Sequence, residues 1–452
     1  MEITLINHAC VKIRSKGVGV LCDPWTDGTA FNDGWRLLIE TPLNLEEIME
    51  GVTHIWLSHE HPDHFSPKFL SEAAGAYGRI PILFQRTHDR RVASFCQSLG
   101  FTVHELPDGE IMALGEGVTA QIGRADFYDS WLLLNDGSAR VLNLNDCPLR
   151  SRHVLERLKR RIGAPDVLLT QFSYAAWKGG RANRSFRIAA AADKLATIAT
   201  QINVLQPKSV IPFASFVYFS SVENAYLNDS VNTPESAAET IARAGAAPIV
   251  LFPGDQWQVG IAHSNEASLS RFAAVYANLA SLPLKSELTS VTAVELLSKF
   301  EKYQGRVFSR NSRWLIALLR RLPILGAFRP VRIHLSDLNL TYSISVIDGM
   351  VPTLSELSEV EMHSTSLAFI LDQDFGFDTL TVNGRFEATP DGFAKLVRAF
   401  SIGSLNAMGL SLSLKLVRNL PVIWILIRRL AGVLARLRST KGPMPSRSEN
   451  IG

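Results

Sequence analysis

No two cysteines stand close enough to make a CxxC pair: Cys10, Cys22, Cys96 and Cys147 are the only four in 452 residues. That spacing gives no support to a zinc ribbon or a disulfide frame and fits a reducing compartment. The opening Met1-Glu2-Ile3-Thr4-Leu5-Ile6-Asn7-His8 has no basic region, no apolar stretch and no small-residue cleavage site. It does not read as a signal peptide, so a cytoplasmic location is expected. The net charge is only +3, too small to argue for nucleic acid. No recognisable DNA- or RNA-binding module accompanies it, and no nucleic-acid partner is expected. With 46% hydrophobic and 20% charged residues, wholesale disorder is excluded and a large core is available. The length suits two or three domains of ~100–200 residues.

The first quarter alternates strand-like runs with turn signals. Ile3–Leu5, Val11–Ile13 and Val18–Leu21 are short β-branched runs, and Ser15-Lys16-Gly17 reads as a hairpin turn. Pro24 in Cys22-Asp23-Pro24-Trp25 stops the third run. Thr53–Leu57 is a further apolar strand. Helical patterns are expected at 67–77, 89–99 and 183–205, and strands at 118–122, 130–134, 140–144 and 208–213. This mixture suits a sandwich of sheets with helices outside. A helical, Ala/Ser/Leu-rich segment follows at 266–301. Val331–Leu335, Thr341–Ile347 and Thr379–Val382 read as strands, and Asp391–Phe400 as a helix introduced by Pro390.

The chemistry is concentrated directly after Leu57, in His59-Glu60-His61-Pro62-Asp63-His64. In an extended loop, side chains at i and i+2 point the same way, so His59 and His61 can grip one ion together. Asp63 and His64 lie just beyond and can reach a second position. Imidazole and carboxylate suit Zn, Fe or Mn alike. A metal there lowers the pKa of bound water to ~7 and supplies hydroxide at neutral pH. A solvated polar loop would not be expected to gather three histidines and one aspartate within six residues.

With this HxHxDH pattern the sequence resembles the metallo-β-lactamase superfamily over roughly residues 1–260. The resemblance implies an aspartate bridging two metals at the end of a later strand. Asp146, in Val141-Leu142-Asn143-Leu144-Asn145-Asp146-Cys147, matches it. A closer likeness is to the metallo-β-lactamase-like part of CMP-N-acetylneuraminate hydroxylases and their bacterial relatives. It is carried by Asp23-Pro24-Trp25, Ala30-Phe31, Gly34-Trp35, Ser58-His59, Asn145-Asp146-Cys147, Gln171-Phe172-Ser173 and Ile211-Pro212-Phe213-Ala214. Near the end, Gly376-Phe377-Asp378-Thr379-Leu380 and Gly384-Arg385-Phe386 add to it. Those hydroxylases also need a Rieske domain with paired Cys and His ligands, a set absent from this sequence, so hydroxylase activity does not carry over.

Two departures from the superfamily pattern stand out. Gly123–Ser130 has no histidine where a third imidazole for the first metal is expected, and Asp126 or Asp129 would have to replace it. Pro212-Phe213-Ala214-Ser215 lacks the final histidine, leaving Ser220, Ser221 or Asp255 as candidates. His88 and His104 read as surface or core residues. Trp25, Phe31, Trp35 and Trp177 are expected either as an apolar substrate wall or as packing.

Two stretches, 302–336 and 411–447, contain no acidic residue. In the second, Lys415, Arg418, Arg429 and Arg436 fall within one arc of a helix, which Pro421 would kink. Its longest uncharged run, Asn419–Ile427, is far short of the ~20 residues that span a bilayer. A basic amphipathic helix on a membrane surface and a helix docked on the protein are equally consistent with it.

The sequence thus predicts an α+β protein. An αββα four-layer metallo-β-lactamase sandwich is expected at 1–262, a helical connector at 263–330, a smaller C-terminal α+β domain at 331–405 and a basic amphipathic tail at 406–452. The expected activity is a metal-dependent hydrolase in which His59, His61, Asp63, His64 and Asp146 hold one or two divalent ions (Zn, Fe or Mn). Bound hydroxide would attack an ester, lactone, amide or phosphodiester of a small-molecule substrate. Asp63 would orient that water or take its proton if only the first metal is present. The alternatives are an iron-dependent oxygenase, which would need an external reductase, and a non-catalytic binding protein. Peripheral membrane contact is expected, if anywhere, through 411–440.

Overall fold

The computed structural model describes residues 1–125, 128–286, 288–321, 327–354, 358–407 and 409–413. Asp126 and the tail from 414 onward, with Lys415, Arg418, Pro421, Arg429 and Arg436, lie outside the described residues. The chain divides into two compact units, one of residues 1–175 and 187–285, the other of 176–186 and 286–452. Residues 263–330, read above as one connector, are divided between the two.

The first unit begins with a meander, β1 (Glu2–Asn7), β2 (Cys10–Ser15) and β3 (Val18–Cys22), continued by β4 (His54–Leu57), β5 (Ile82–Gln85) and β6 (Val103–Leu106). Lys16 and Gly17 turn the β2–β3 hairpin with φ of 48° and 78°, the left-handed pair a two-residue hairpin needs. β1, β2 and β3 pair antiparallel, and β3 to β6 run parallel. A short strand, Gln256–Gln258, closes the edge beside β1. The second sheet comprises β7 (Ile111–Gly115), β8 (Val118–Ala125), β9 (Asp129–Asn135), β10 (Arg140–Asn143), β11 (Val167–Gln171) and β12 (Ser209–Phe213), with Ala247–Pro248 at its edge.

Side-chain alternation explains how the layers stack. On the first sheet Ile3, Leu5, Val11, Ile13, Val20, Trp56 and Leu83 share one core with Ile122, Leu132, Leu134, Val141 and Leu168 of the second. The intervening residues Ile6, Cys10, Leu21, Ile55, Leu57, Ile82 and Phe84 point the other way. They pack under α1 (Pro67–Tyr77) and α2 (Arg91–Ser98) through Phe69, Leu70, Val92 and Cys96. The outer face of the second sheet is covered by α3 (Arg152–Ile162), α4 (Arg184–Leu205) and α5 (Pro234–Arg243), through Leu155, Ile202 and Ile241. This is the αββα order the sequence predicts.

The second unit is built on α6 (Ala293–Arg310) and α7 (Arg313–Arg321). Its five strands are β13 (Val331–Leu335), β14 (Leu340–Ser345), β15 (Gly349–Pro352), β16 (Val360–Met362) and β17 (Glu387–Ala388). Their order in the sheet is β15-β14-β13-β16-β17. Among the described residues, three further helices, α8 (Ser364–Asp372), α9 (Gly376–Asn383) and α10 (Pro390–Ala407), belong to it. Leu296, Phe300, Tyr303 and Val307 recur at helical spacing on α6 and face Val331, Ile333, Leu367, Ile370 and Phe400.

One local expectation fails here. Thr379–Val382 is not a strand but the second half of α9. Its β-branched residues suggested a strand, yet Phe377 and Leu380 are both buried at i, i+3 spacing, and Gly384 ends the helix at φ 67°. Gly376 sets the approach to α8, since a Cβ there would lie 2.4 Å from the Phe369 carbonyl oxygen and 2.7 Å from Ile370 Cα. Both obstacles are backbone and cannot rotate aside. Gly376→Ala should therefore cost about 2–3 kcal/mol through overpacking. An unchanged urea midpoint would refute that close approach.

Among the described residues no helix is long and apolar enough to cross a membrane.

Candidate metal centre

The carboxyl ends of parallel strands provide the floor of the site. β3 and β4 pair with Cys22 opposite Trp56, so Asp23 and Ser58 leave the sheet side by side. β4 runs straight into the histidine loop, and β10 into Asn145 and Asp146. Asp23 and Asn145 have φ of 41° and 55°, which folds both chains back over the strand ends. Asn143 Oδ1 receives the Asn145 N–H at 2.9 Å and holds that turn.

Two groups of donors result. His59, His61 and Asp146 bring one donor atom each within 4.8 Å of one another, and so do His8, Asp63 and His64. In the first group His59 Nε2 lies 2.8 Å from His61 Nδ1 and 3.9 Å from Asp146 Oδ1. In the second, Asp63 Oδ2 lies 3.3 Å from His8 Nε2 and 3.3 Å from His64 Nε2. Asp146 Oδ1 connects the two groups, 3.7 Å from His64 Nε2.

Asp23 orders this cluster without belonging to it. Fully buried, it accepts from the Ser58 N–H and the Ser58 hydroxyl, both at 2.7 Å, from His64 Nδ1 at 3.0 Å and from the Asn145 side-chain amide. Because the Ser58 hydroxyl gives its only proton to Asp23, it must accept from His59 Nδ1, 2.8 Å away. One carboxylate therefore fixes both imidazoles with Nε2 turned toward the cluster. Ser130 Oγ and Gln85 Nε2 donate to the Ser58 carbonyl at 2.6 and 3.2 Å, anchoring the loop from behind.

The electrostatics show what the cluster needs. Burial would push the His64 imidazolium down, but Asp63, Asp146 and Asp23 outweigh it and hold its pKa well above the usual value. Burial pushes Asp63 up, and His64 and His8 more than reverse this, leaving it well below the carboxylate range. Asp146 is lowered in the same way, against its burial, by His59 and His64. His59 goes well below its ordinary value through burial, and burial lowers His8 too. The His64 imidazolium is the charge that keeps Asp63 and Asp146 ionised, a role that a divalent ion among them would take over by displacing its Nε2 proton.

Unpaired atoms point to the same gap. Among the described residues, Asp63 Oδ1 and Asp146 Oδ1 are buried without a hydrogen-bond partner, whereas buried polar atoms are nearly always satisfied. A divalent ion fits these residues in donor type, burial and charge. The neighbouring Cys147 is not a competing thiolate, since burial pushes its pKa well up.

The five residues read from the sequence are thus brought together, with Asp63 and His64 set against His8. His8 was missed. It sits in the β1–β2 turn at φ 40°, its N–H held by Asn7 Oδ1 at 2.8 Å. Its carbonyl accepts the Ala214 N–H at 2.9 Å, in the stretch where a last histidine was expected. The one available signal was a histidine in a hairpin turn, a place where a surface residue is the ordinary reading.

The proposed substitutes are placed elsewhere or not joined to the cluster. Asp255 accepts from the Phe252 N–H, Ser268 and Arg271, and Ser221 Oγ faces Glu223 at 3.3 Å. Asp129, on β9, is in neither donor group, and Asp126 lies outside the described residues. Trp25 meets His8 edge-on at 5.6 Å, Phe31 meets His61 at 5.8 Å, and Trp35 packs on Phe31 at 4.5 Å. All three are buried and brace the imidazoles. Trp177 instead stacks on Phe386 at 5.0 Å in the second unit.

Residues 2–214 match the family described as Beta-lactamase superfamily domain. The chain is 27% identical over 261 residues to a cytidine monophosphate-N-acetylneuraminic acid hydroxylase of Danio rerio, covering 53% of this chain and 42% of the relative. It thus spans less than half the length of the curated relatives it matches. Among solved structures, the diiron β-hydroxylase CmlA of Streptomyces venezuelae is similar with a TM-score of 0.42 at 17% identity, over 57% of this chain and 54% of CmlA. An isothiocyanate hydrolase from Delia radicum gut bacteria gives 0.43 at 16%, over 57% and 98%. The N-terminal part of the chain has the metallo-β-lactamase fold.

Proposed function

We propose that this metallo-β-lactamase-fold protein is a metal-dependent hydrolase acting on an ester, lactone, amide or phosphodiester bond of a small molecule. The observation that carries the reading is the pair of donor groups, joined by Asp146 and holding unpaired buried acceptors. His59, His61 and Asp146 would hold one ion, and His8, Asp63, His64 and Asp146 a second. Zn, Fe and Mn all suit imidazole with carboxylate. A divalent ion held there lowers the pKa of water toward ~7 and polarises the bond to be cut. Asp63 Oδ1, buried and without a hydrogen-bond partner among the described residues, would accept a water proton. The aromatic residues Trp25, Phe31 and Trp35 keep the imidazoles from turning away. The four cysteines are buried and free, which supports a reducing, cytoplasmic setting.

A second reading is an iron-dependent oxygenase, favoured by the similarity to the hydroxylases. It requires an external reductase to supply electrons to dioxygen. One experiment separates the readings. Protein expressed with Zn, Fe and Mn together should retain one to two ions per chain. It should cleave members of an ester, lactone, amide and phosphodiester panel without consuming dioxygen. Dioxygen uptake dependent on an added reductase would instead establish the oxygenase. A protein without bound metal would leave only a binding role.

A further inference from the structure

The basic stretch 302–336 is absorbed by no part of the metal chemistry; among the described residues of the second unit it forms the second half of α6, all of α7 and β13. On α7, Leu315 and Ile316 are buried, while Arg313, Trp314, Ala317, Leu318 and Arg321 are exposed. These positions recur at i, i+1, i+4, i+5 and i+8, so they form one face. Trp314 is 56% exposed and Leu318 48%. The helix is therefore apolar on both sides but, among the described residues, has a protein partner on only one.

The local carboxylates are already engaged. Arg306 and Arg310 share Asp374, at 3.5 and 2.6 Å, and Arg320 takes Asp348 at 2.6 Å. Arg313 lies over the Phe308 ring at 4.3 Å, and neither it nor Arg321 has a carboxylate partner among the described residues. Beside the start of α7 the second acid-free stretch departs. Leu412 O accepts the Ser312 N–H at 2.9 Å, and Leu412 N–H donates to Asn311 Oδ1 at 2.7 Å. From 411 to 447 the chain adds eight Lys and Arg and no Asp or Glu.

We propose that the exposed face of α7 docks on an anionic lipid surface. Tryptophan and leucine edged by arginine are what the interface between headgroups and acyl chains accepts. A second copy of the chain would set the same basic face against its own sign. A bilayer with anionic lipid supplies both the apolar depth for Trp314 and the counter-charge.

Full-length protein is sedimented with vesicles of phosphatidylcholine alone or with added phosphatidylglycerol, at low and high salt. Wild type should pellet with the anionic vesicles at low salt and be released at high salt. Trp314→Ser/Leu318→Ser changes only exposed side chains and should weaken partitioning at least tenfold. Arg321→Glu should weaken it about fivefold or more, and circular dichroism should show both variants folded. No pelleting of wild type, or equal pelleting with neutral vesicles, overturns the proposal. So does wild-type binding by the Trp314/Leu318 variant, which would assign the membrane contact to the residues after 413 alone.

Discussion

Replacing His61 by alanine is expected to remove most bound metal while leaving the fold intact. His61 supplies one of only two imidazoles in the first donor group, and it is half-buried, packed on Phe31 and His59 rather than within the sandwich core. Its removal forfeits a direct ligand. The loss in affinity should therefore exceed the ~10–100-fold that removal of an outer-shell partner causes. Elemental analysis after dialysis against a buffered metal concentration gives the occupancy, and thermal unfolding gives the stability. Metal content equal to wild type would dismiss the first donor group. A strongly lowered melting temperature with metal retained would mean that His61 is a packing residue.

How far the site could be read from the sequence depends on how local each part is. His59, His61, Asp63 and His64 lie in one loop after one strand, so their convergence follows from chain geometry over six residues. Asp146 came from the end of a later strand, through resemblance. Nothing local announces that β1, β3, β4 and β10 end at the same place, because the pairing of β3 with β4 joins residues more than 30 apart. His8 was lost for that reason. A histidine in a hairpin turn becomes a buried donor only when the loops after β4 and β12 close over it. The two sheets were legible because period-2 alternation survives even where both faces are buried. The α9 segment was not: Thr379-Leu380-Thr381-Val382 has strand-like composition, and its packing on α8 through Gly376 is a tertiary effect that overrides propensity.

Asp23 was read only as part of a resemblance, yet it is the residue on which the largest combined effect is expected. Its carboxylate is fully buried and accepts four hydrogen bonds, from Ser58 twice, from His64 and from Asn145. Asp23→Ala strands the Ser58 N–H, the His64 Nδ1 proton and the Asn145 amide in a buried pocket. At ~1–3 kcal/mol for each of the three unsatisfied groups, the cost is about 3–9 kcal/mol, comparable with the ~5–15 kcal/mol that holds a domain together. Asp23→Asn separates folding from metal binding. The amide keeps the shape and one acceptor, but its NH2 must face hydroxyl and imidazole. Ser58 Oγ then accepts from the introduced amide and gives its proton to His59 Nδ1, while His64 Nδ1 likewise becomes an acceptor. Both rings are left with Nε2–H, rather than a lone pair, turned toward the cluster. The Asp23→Asn variant should therefore fold with a loss of about 1–2 kcal/mol, as one hydrogen bond would cost, but bind metal ~10–100-fold more weakly. Urea unfolding and metal titration on the same preparation test both halves. If that variant matches wild type in metal affinity, Asp23 does not set the imidazole tautomers, and the two Nε2 atoms are not the donors.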